Sequence, residues 1–318
     1  MDLRQLNALA AVHDHGSFSA AARALHTVQS NVSTHVARLE RELGATLVDR
    51  SSGQLTEEGL AVLDRTRRIN AELDAMTADV ASMGDVVSGG ARIGVIGTVG
   101  RWLVPRLVEA VQREHPLVRL GILDATTTSL VPLVQSGDLD LAIVNIPSAG
   151  PDLDTMPLFA EDRVLVVPTD HPLAASDHVA LAEAAEHPLL MPPVGTSFRD
   201  ELDGAAARAG VELTAQAEVD GMRLLASLAF QGFGPAVVPS GAVPSYVGGD
   251  WTVVAVDDLT PRSVGIVVRS KGRPSRAARA VRDRIVDVVA VQLGTRTGIH
   301  ELPDGPRPAA GDAEGGRS

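Results

Sequence analysis

Close to the N-terminus two helical segments are separated by a reversal of only three residues, and nothing else in the chain restricts the fold as tightly. The first is Ala20-Ala21-Ala22-Arg23-Ala24-Leu25, the reversal is His26-Thr27-Val28, and the second runs from Gln29 to Leu43 and stops at Gly44. Alanines have little bulk, so another helix can approach closely, and Ser17 or Ser19 can cap the segment. A helix also precedes it: Leu3, Leu6, Leu9, Ala10 and His13 share a face, and Gly16 ends it. Wound at about 100° per residue, the Gln29–Leu43 segment turns Val28, Val32, Val36, Leu39 and Leu43 to a buried stripe. Ser30, Ser33, Thr34, Ala37, Arg38 and Arg41 lie opposite. Short polar side chains at one end and arginines at the other suit a helix that enters a major groove. A plain solvated face would look the same in this helix taken alone.

After Gly44, Leu47-Val48 and Gln54-Leu55 bracket Arg50-Ser51-Ser52-Gly53, a small hairpin or wing. Thr56 then caps a long helix. In it Thr66, Ile69, Leu73, Met76, Val80 and Met83 recur in steps of three and four, the spacing of a heptad seam. Such a seam needs a partner. The same helix of a second copy is favoured over packing on the chain's own body. Gly84 to Gly90 reads as a joint.

Beyond the joint, strands alternate with helices. Strands are expected at Arg92–Ile96, Val118–Ile122, Leu139–Val144, Arg163–Val167, Leu189–Met191, Gln216–Val219, Ala236–Val238, Trp251–Val256 and Ser263–Val268. Helices are expected at Arg101–His115, Ser129–Ser136, Ser197–Ala209, Met222–Gln231 and Ser275–Leu293. This alternation implies mainly parallel sheets with helices on both faces, in two lobes with a cleft between them. The tail from 293 to 318 is rich in Gly, Pro and charge and is expected to be disordered.

Composition limits the chemistry. Aromatics make up 3%, so Leu, Val, Ile and Ala must fill the core. No residue is cysteine, which rules out disulfides, Cys-ligated metals, a thiol nucleophile and a thiol redox sensor. No apolar run approaches the roughly 20 residues of a spanning helix, and Met1–Ala10 lacks a signal pattern. The expected location is cytoplasmic, away from membranes. The net charge of -12 is uneven. Residues 1–70 hold eight Arg and eight Asp or Glu, while 71–318 hold 20 basic and 32 acidic groups and carry the whole excess. Local surface decides phosphate attraction, so charge alone does not argue for nucleic acid.

The opening residues resemble the DNA-binding domain of LysR-type transcriptional regulators. The matching features are Leu3-Arg4-Gln5-Leu6, Gly16-Ser17-Phe18-Ser19-Ala20-Ala21-Ala22, Leu25-His26, Gln29, Val32-Ser33 and Val36. They continue through Leu39-Glu40, Glu42-Leu43-Gly44, Leu47, Arg50 and Leu55-Thr56-Glu57-Glu58-Gly59. Later stretches resemble the family's effector domain: His115-Pro116-Leu117-Val118, Gly137-Asp138-Leu139-Asp140-Leu141-Ala142 and Gly232-Phe233-Gly234-Pro235-Ala236-Val237. The resemblance implies an α+β multidomain chain. A winged helix-turn-helix would span 1–58 and a linker helix and hinge 59–90. An effector domain over 91–292 would have two α/β lobes like those of periplasmic binding proteins. Lobe I would take 91–161 and 265–292, and lobe II 162–264. It also implies a homodimer or homotetramer on double-stranded promoter DNA, within reach of RNA polymerase, with no cofactor and no catalysis. A small molecule between the lobes would alter the DNA geometry.

Carried over residue by residue, Gln29, Ser30, Ser33 and Thr34 would meet bases and Arg50 the wing contact, while Arg38, at the basic end of the helix face, would meet phosphate. Ser30 stands where the family often has proline. The wing lacks the second arginine of many relatives, which leaves Arg50 to grip phosphate. In the cleft, Thr98 and Thr126 match effector contacts, with Ser197 opposite. Arg101 adds a positive charge, so a small organic anion is the expected effector. The same hydroxyls could merely cap helices, and Ser197 with Asp200 reads as a capping box.

Other chemistries fit poorly. Gly94, Gly97 and Gly100 lack the G-x-G-x-x-G spacing of dinucleotide folds. His13-Asp14-His15 sits at a helix end where its ligands would diverge, so no metal is expected. No nucleophile–base pair supports an enzyme. The rival is a two-lobed solute-binding protein or enzyme, which would need neither the helix-turn-helix nor the heptad helix.

Overall fold

The computed structural model describes residues 1–81, 86–147, 150, 152–244, 248–272 and 274–302. In the head, Asp2 accepts from the Gln5 amide at 3.0 Å while Gln5 accepts from the Asp2 amide at 2.8 Å, a reciprocal cap that opens α1 (Leu3–His15). Gly16, at φ 71°, closes it. Ser17 caps α2 (Phe18–Ala24) through the Ala20 amide at 3.2 Å, and α3 spans Gln29–Leu43. Leu6, Leu9, Val12, Ala21, Ala22, Val32, Val36, Leu39, Leu47 and Val48 form one core. Each buried Val or Leu contributes about 1.5–3 kcal/mol. The expected stripes overreach at their ends. Leu3, His13, Val28 and Leu43, all at or near helix ends, are exposed.

Thr56 caps α4 (Glu57–Ala81), its Oγ1 accepting from the Gly59 amide at 3.0 Å. Gly59 is needed there: a Cβ would collide with the Leu47 carbonyl and sit 3.1 Å from Leu55 Cβ. Asn70 Nδ2 donates to Asn7 Oδ1 at 2.8 Å, tying α4 to α1. The expected seam divides. Thr66 is buried within the chain, whereas Ile69, Met76 and Val80 are exposed at 39%, 58% and 60%. Met83 lies outside the described residues, as does the start of the Gly84–Gly90 joint, and Ser88 already begins a strand.

The body has two lobes. The first holds a six-stranded sheet ordered β12-β4-β11-β3-β1-β2. Its strands are β1 (Ser88–Val95), β2 (Leu117–Asp124), β3 (Leu141–Ile146), β4 (Leu153–Glu161), β11 (Arg262–Arg269) and β12 (Ile299–His300). Around it lie α5 (Gly97–Glu114), α6 (Thr127–Ser136) and α10 (Arg276–Gln292). The second lobe holds β5 (Arg163–Pro168), β6 (His178–Val179), β9 (Ala236–Pro239) and β10 (Trp251–Val256), with a β7–β8 pair (Leu189–Met191, Ala215–Glu218). Its helices are α7 (Leu181–Ala185), α8 (Ser197–Ala209) and α9 (Met222–Phe230). Strand β5 is buried on both faces: Leu165 and Val167 join the core under α7 and α8, while Val164 and Val166 join the core under α9.

Three expectations change. Among the described residues the sheets are mixed: β1–β2, β1–β3, β6–β10 and β7–β8 run parallel and the other pairings antiparallel. The chain crosses between lobes at Asp162 and again before Arg262, so the returning strands pair antiparallel with their neighbours. The helix expected from Arg101 starts earlier, with residues 97–100 as the first turn of α5. The expected disorder beyond 293 does not hold as far as 302. Ile299 is 3% exposed, β12 pairs with β4, and the Gly298 carbonyl accepts from the Asp162 amide at 2.9 Å and Ser240 Oγ at 2.8 Å. Residues 303–318 lie outside the described residues.

Candidate functional site

On the head, α3 presents Ser30, Thr34 and Arg38 to solvent, with Ser33 half-buried beside them. Gln29 Oε1 accepts from Ser19 Oγ at 2.8 Å, so α2 orients the first side chain of α3. Thr34 Oγ1 donates to the Ser30 carbonyl at 2.7 Å. Arg38 makes no ion pair among the described residues. Arg50 is pinned at the wing, its Nη2 2.9 Å from Glu40 Oε2 and its guanidinium 5.2 Å from the Phe18 ring centre. Glu40 Oε1 also accepts from the Leu47 and Val48 amides at 2.9 and 3.2 Å. Burial would raise this carboxyl, but the two amides and Arg50 outweigh it and hold Glu40 below its ordinary 4.5. The wing turns tightly. Asp49 accepts from the Ser51 hydroxyl at 2.6 Å and amide at 2.8 Å, which pushes its carboxyl down to about 2.

Between the lobes, Glu161 is 0% exposed and Arg262 places Nε 2.7 Å from its Oε2. The Gly241 amide donates to the other carboxylate oxygen at 2.5 Å. Arg262 Nη2 also donates to Thr98 Oγ1 at 2.6 Å, so the expected effector contact is 3% exposed and already held from the crossover. Arg101 is partly buried with its Nε unpartnered. Thr126 caps α6, accepting from the Ser129 amide at 3.3 Å, and its hydroxyl lies 2.9 Å from Thr128 Oγ1 and 3.0 Å from Ser129 Oγ. Ser197 is exposed and starts α8. The cap residue is Thr196, whose hydroxyl donates to the Pro193 carbonyl at 2.9 Å and makes no capping bond, so the expected Ser197–Asp200 capping box does not form.

A further pair spans the cleft. Arg223, in the first turn of α9 in lobe II, places Nη1 2.6 Å from Asp124 Oδ2 at the end of β2 in lobe I. Gly97 lies beneath both: a Cβ there would be 2.9 Å from Asp124 Oδ1 and 3.1 Å from Arg223 Cδ. The starts of α5 and α9 and the end of β2 therefore meet at one place, with Thr98 and Thr126 on adjoining segments. No hydrogen bond or ion pair joins Ser197 to them among the described residues. A cavity of about 350 Å³ lies elsewhere, lined by Ile146, Pro147, Thr155, Pro157 and Ser263. Among the described residues no three His, Asp or Glu side chains are placed to hold a metal. No helix among them is long and apolar enough to cross a membrane.

Two family models match this chain: the bacterial regulatory helix-turn-helix protein of the lysR family over residues 3–60, and the LysR substrate-binding domain over 84–290. The chain belongs to the LysR family. It is a DNA-binding transcriptional regulator with an effector-binding domain, in a family of regulators rather than enzymes. The probable hydrogen peroxide-inducible genes activator of Mycobacterium avium is 31% identical over 92% of this chain and 95% of its own length. The DNA-binding transcriptional dual regulator OxyR of Escherichia coli is 29% identical over 90% and 96%. Full-length OxyR from Pseudomonas aeruginosa, with a cysteine replaced by aspartate, superposes with a TM-score of 0.73 at 24% identity, over 95% of this chain and 99% of that one. CbnR complexed with its target DNA gives 0.64 at 23%, over 91% and 99%. At these identities the two structures speak to the fold alone.

For this LysR-family chain, the sequence reading missed Glu40, Glu161, Arg262, Asp124 and Arg223 as working parts. Glu40 falls in a matched motif, and the other four belong to pairs formed across long stretches of chain.

Proposed function

We propose that this regulator is switched by a small organic anion that enters between the lobes. The observation that carries the reading is the Asp124–Arg223 pair, in which a carboxylate of lobe I occupies a cation of lobe II over the first turn of α5. An incoming carboxylate would take over Arg223 and release Asp124. The two lobes would then be bridged through ligand instead of directly. Thr126 supplies hydroxyl contact beside it, Arg101 a further positive charge, and Ser197 a contact from the opposite lobe. Thr98 joins when Arg262 gives way.

On the head, Gln29, Ser30, Ser33 and Thr34 read base edges, Arg38 neutralises phosphate and Arg50 anchors the wing on the backbone. Residues 1–58 serve as the reader, 59–90 as linker and 91–292 as sensor. The exposed Ile69, Met76 and Val80 support assembly into a homodimer or homotetramer in the cytoplasm, on promoter DNA where RNA polymerase can be met. The relatives named for hydrogen peroxide do not transfer a thiol mechanism, since none of the 318 residues is cysteine.

Isothermal titration of the full chain against small mono- and dicarboxylates, with neutral metabolites beside them, tests the anion. Binding of a carboxylate that weakens at least ten-fold in Arg223→Gln is expected. Binding of neutral compounds alone overturns the reading.

A further inference from the structure

We propose that α6 and Arg67 form a direct mechanical link, within one chain, between the cleft and the DNA-binding head. The link rests on the cleft reading above for its biological input, and its physical parts are independent of the effector's identity. Helix α6 starts in the cleft, where Thr126 caps it and Thr127 Oγ1 accepts from the Asn145 amide at 3.1 Å. It runs about 15 Å at 1.5 Å per residue, with Leu130 and Val134 in the lobe I core and Val131 also buried. Its other end meets the linker.

That far end is built closely. Gly137, at φ 88°, ends α6, and a Cβ on it would lie 3.1 Å from Ala71 Cβ of α4 and 3.0 Å from Arg269 Nη1. Arg269 in turn reaches the Val134 carbonyl at 3.3 Å, holding the last turn of α6 to β11. Ser136 Oγ donates to Asp138 Oδ2 at 2.7 Å, and the same oxygen lies 3.1 Å from Arg67 Nη1 of α4. The other guanidinium nitrogen of Arg67 lies 2.9 Å from Asp14 Oδ1, near the end of α1. One arginine therefore joins a carboxylate of the sensor to a carboxylate of the head. A shift of α6 along its axis moves Asp138, and Arg67 must then follow it, pulling on Asp14, or let go of Asp138 and lose its tie to the sensor. Either response changes how α1, and with it α3, is held against the body.

Coupling between two sites is reciprocal, so DNA can stand in for the effector as the probe. Hydrogen exchange is followed on the full chain with and without its own upstream intergenic DNA, in native, Arg67→Gln and Asp138→Asn forms. Asp138→Asn lies outside the head and keeps an acceptor for Ser136, so it guards against a folding defect at Arg67. The partly exposed ion pairs set the expected size at about two- to five-fold in exchange of the peptide covering 126–135. DNA should produce this change in the native chain and fail to produce it in both variants while they still bind DNA. An equal response in native and variant chains, or none in the native chain while DNA is bound, overturns the link. If α6 responds to DNA but no carboxylate binds, the anion reading falls and the link stands.

Discussion

At Arg262 the cost of burying a guanidinium is offset by a carboxylate, and that carboxylate has a backbone amide on its other oxygen. Removing one partner leaves the other charged and dry. Arg262→Ala should therefore destabilise the body by about 3–5 kcal/mol, read as a lower midpoint in urea, and should free Thr98. The head has a counterpart in Glu40. Glu40→Ala orphans the Leu47 and Val48 amides, costing about 1–3 kcal/mol, and unpins Arg50. Because Glu40 titrates below its ordinary 4.5 when folded, its contribution is complete above 4.5 and is lost as pH falls through the folded value. Acid titration of head unfolding should show a steeper loss in the native chain than in Glu40→Ala. The sequence showed the short-range partners, such as Thr56 capping α4. Pairs such as Glu161 and Arg262, 101 residues apart, leave no local pattern to read.

Among the elements, those with strong periodicity and clear stops were legible. Helix α3 falls at the expected Gln29–Leu43, because Val32, Val36 and Leu39 repeat on one face and Gly44 can adopt a left-handed conformation. Strand β4 was invisible. Pro157 interrupts it and sits beside a register shift at Val264/Gly265, where a missing N–H does little harm. Strand β12 was hidden by the composition of the tail, since Ile299 alone anchors it in the core. Helix α4 forms where the sequence predicts it, but its seam is not continuous, since Thr66 faces the chain itself. The exposed part gives a direct prediction. Met76→Glu with Val80→Glu should lower the assembled mass in light scattering while leaving the unfolding midpoint of the dissociated chain within about 0.5 kcal/mol. A midpoint that falls sharply with the mass unchanged would mean these side chains pack internally.

For the whole molecule, the two-lobed plan was legible in the alternation of strands and helices, and the strand directions were not. Both crossovers between lobes send a strand back antiparallel, and this depends on where the chain returns, which no local pattern encodes. The same crossovers bring Glu161, Arg163 and Arg262 to one hinge and set lobe II over Gly97. The proposed effector face is therefore a product of tertiary return, while the proposed DNA face is local to α2 and α3. The most direct test is a footprint of the full chain on its own upstream intergenic DNA, with hydrogen peroxide or with the carboxylate panel added. The footprint should survive peroxide unchanged and should alter in extent with at least one carboxylate. A footprint altered by peroxide and restored by dithiothreitol, or one indifferent to every carboxylate yet responsive to neutral compounds, would contradict a thiol-free, anion-switched regulator.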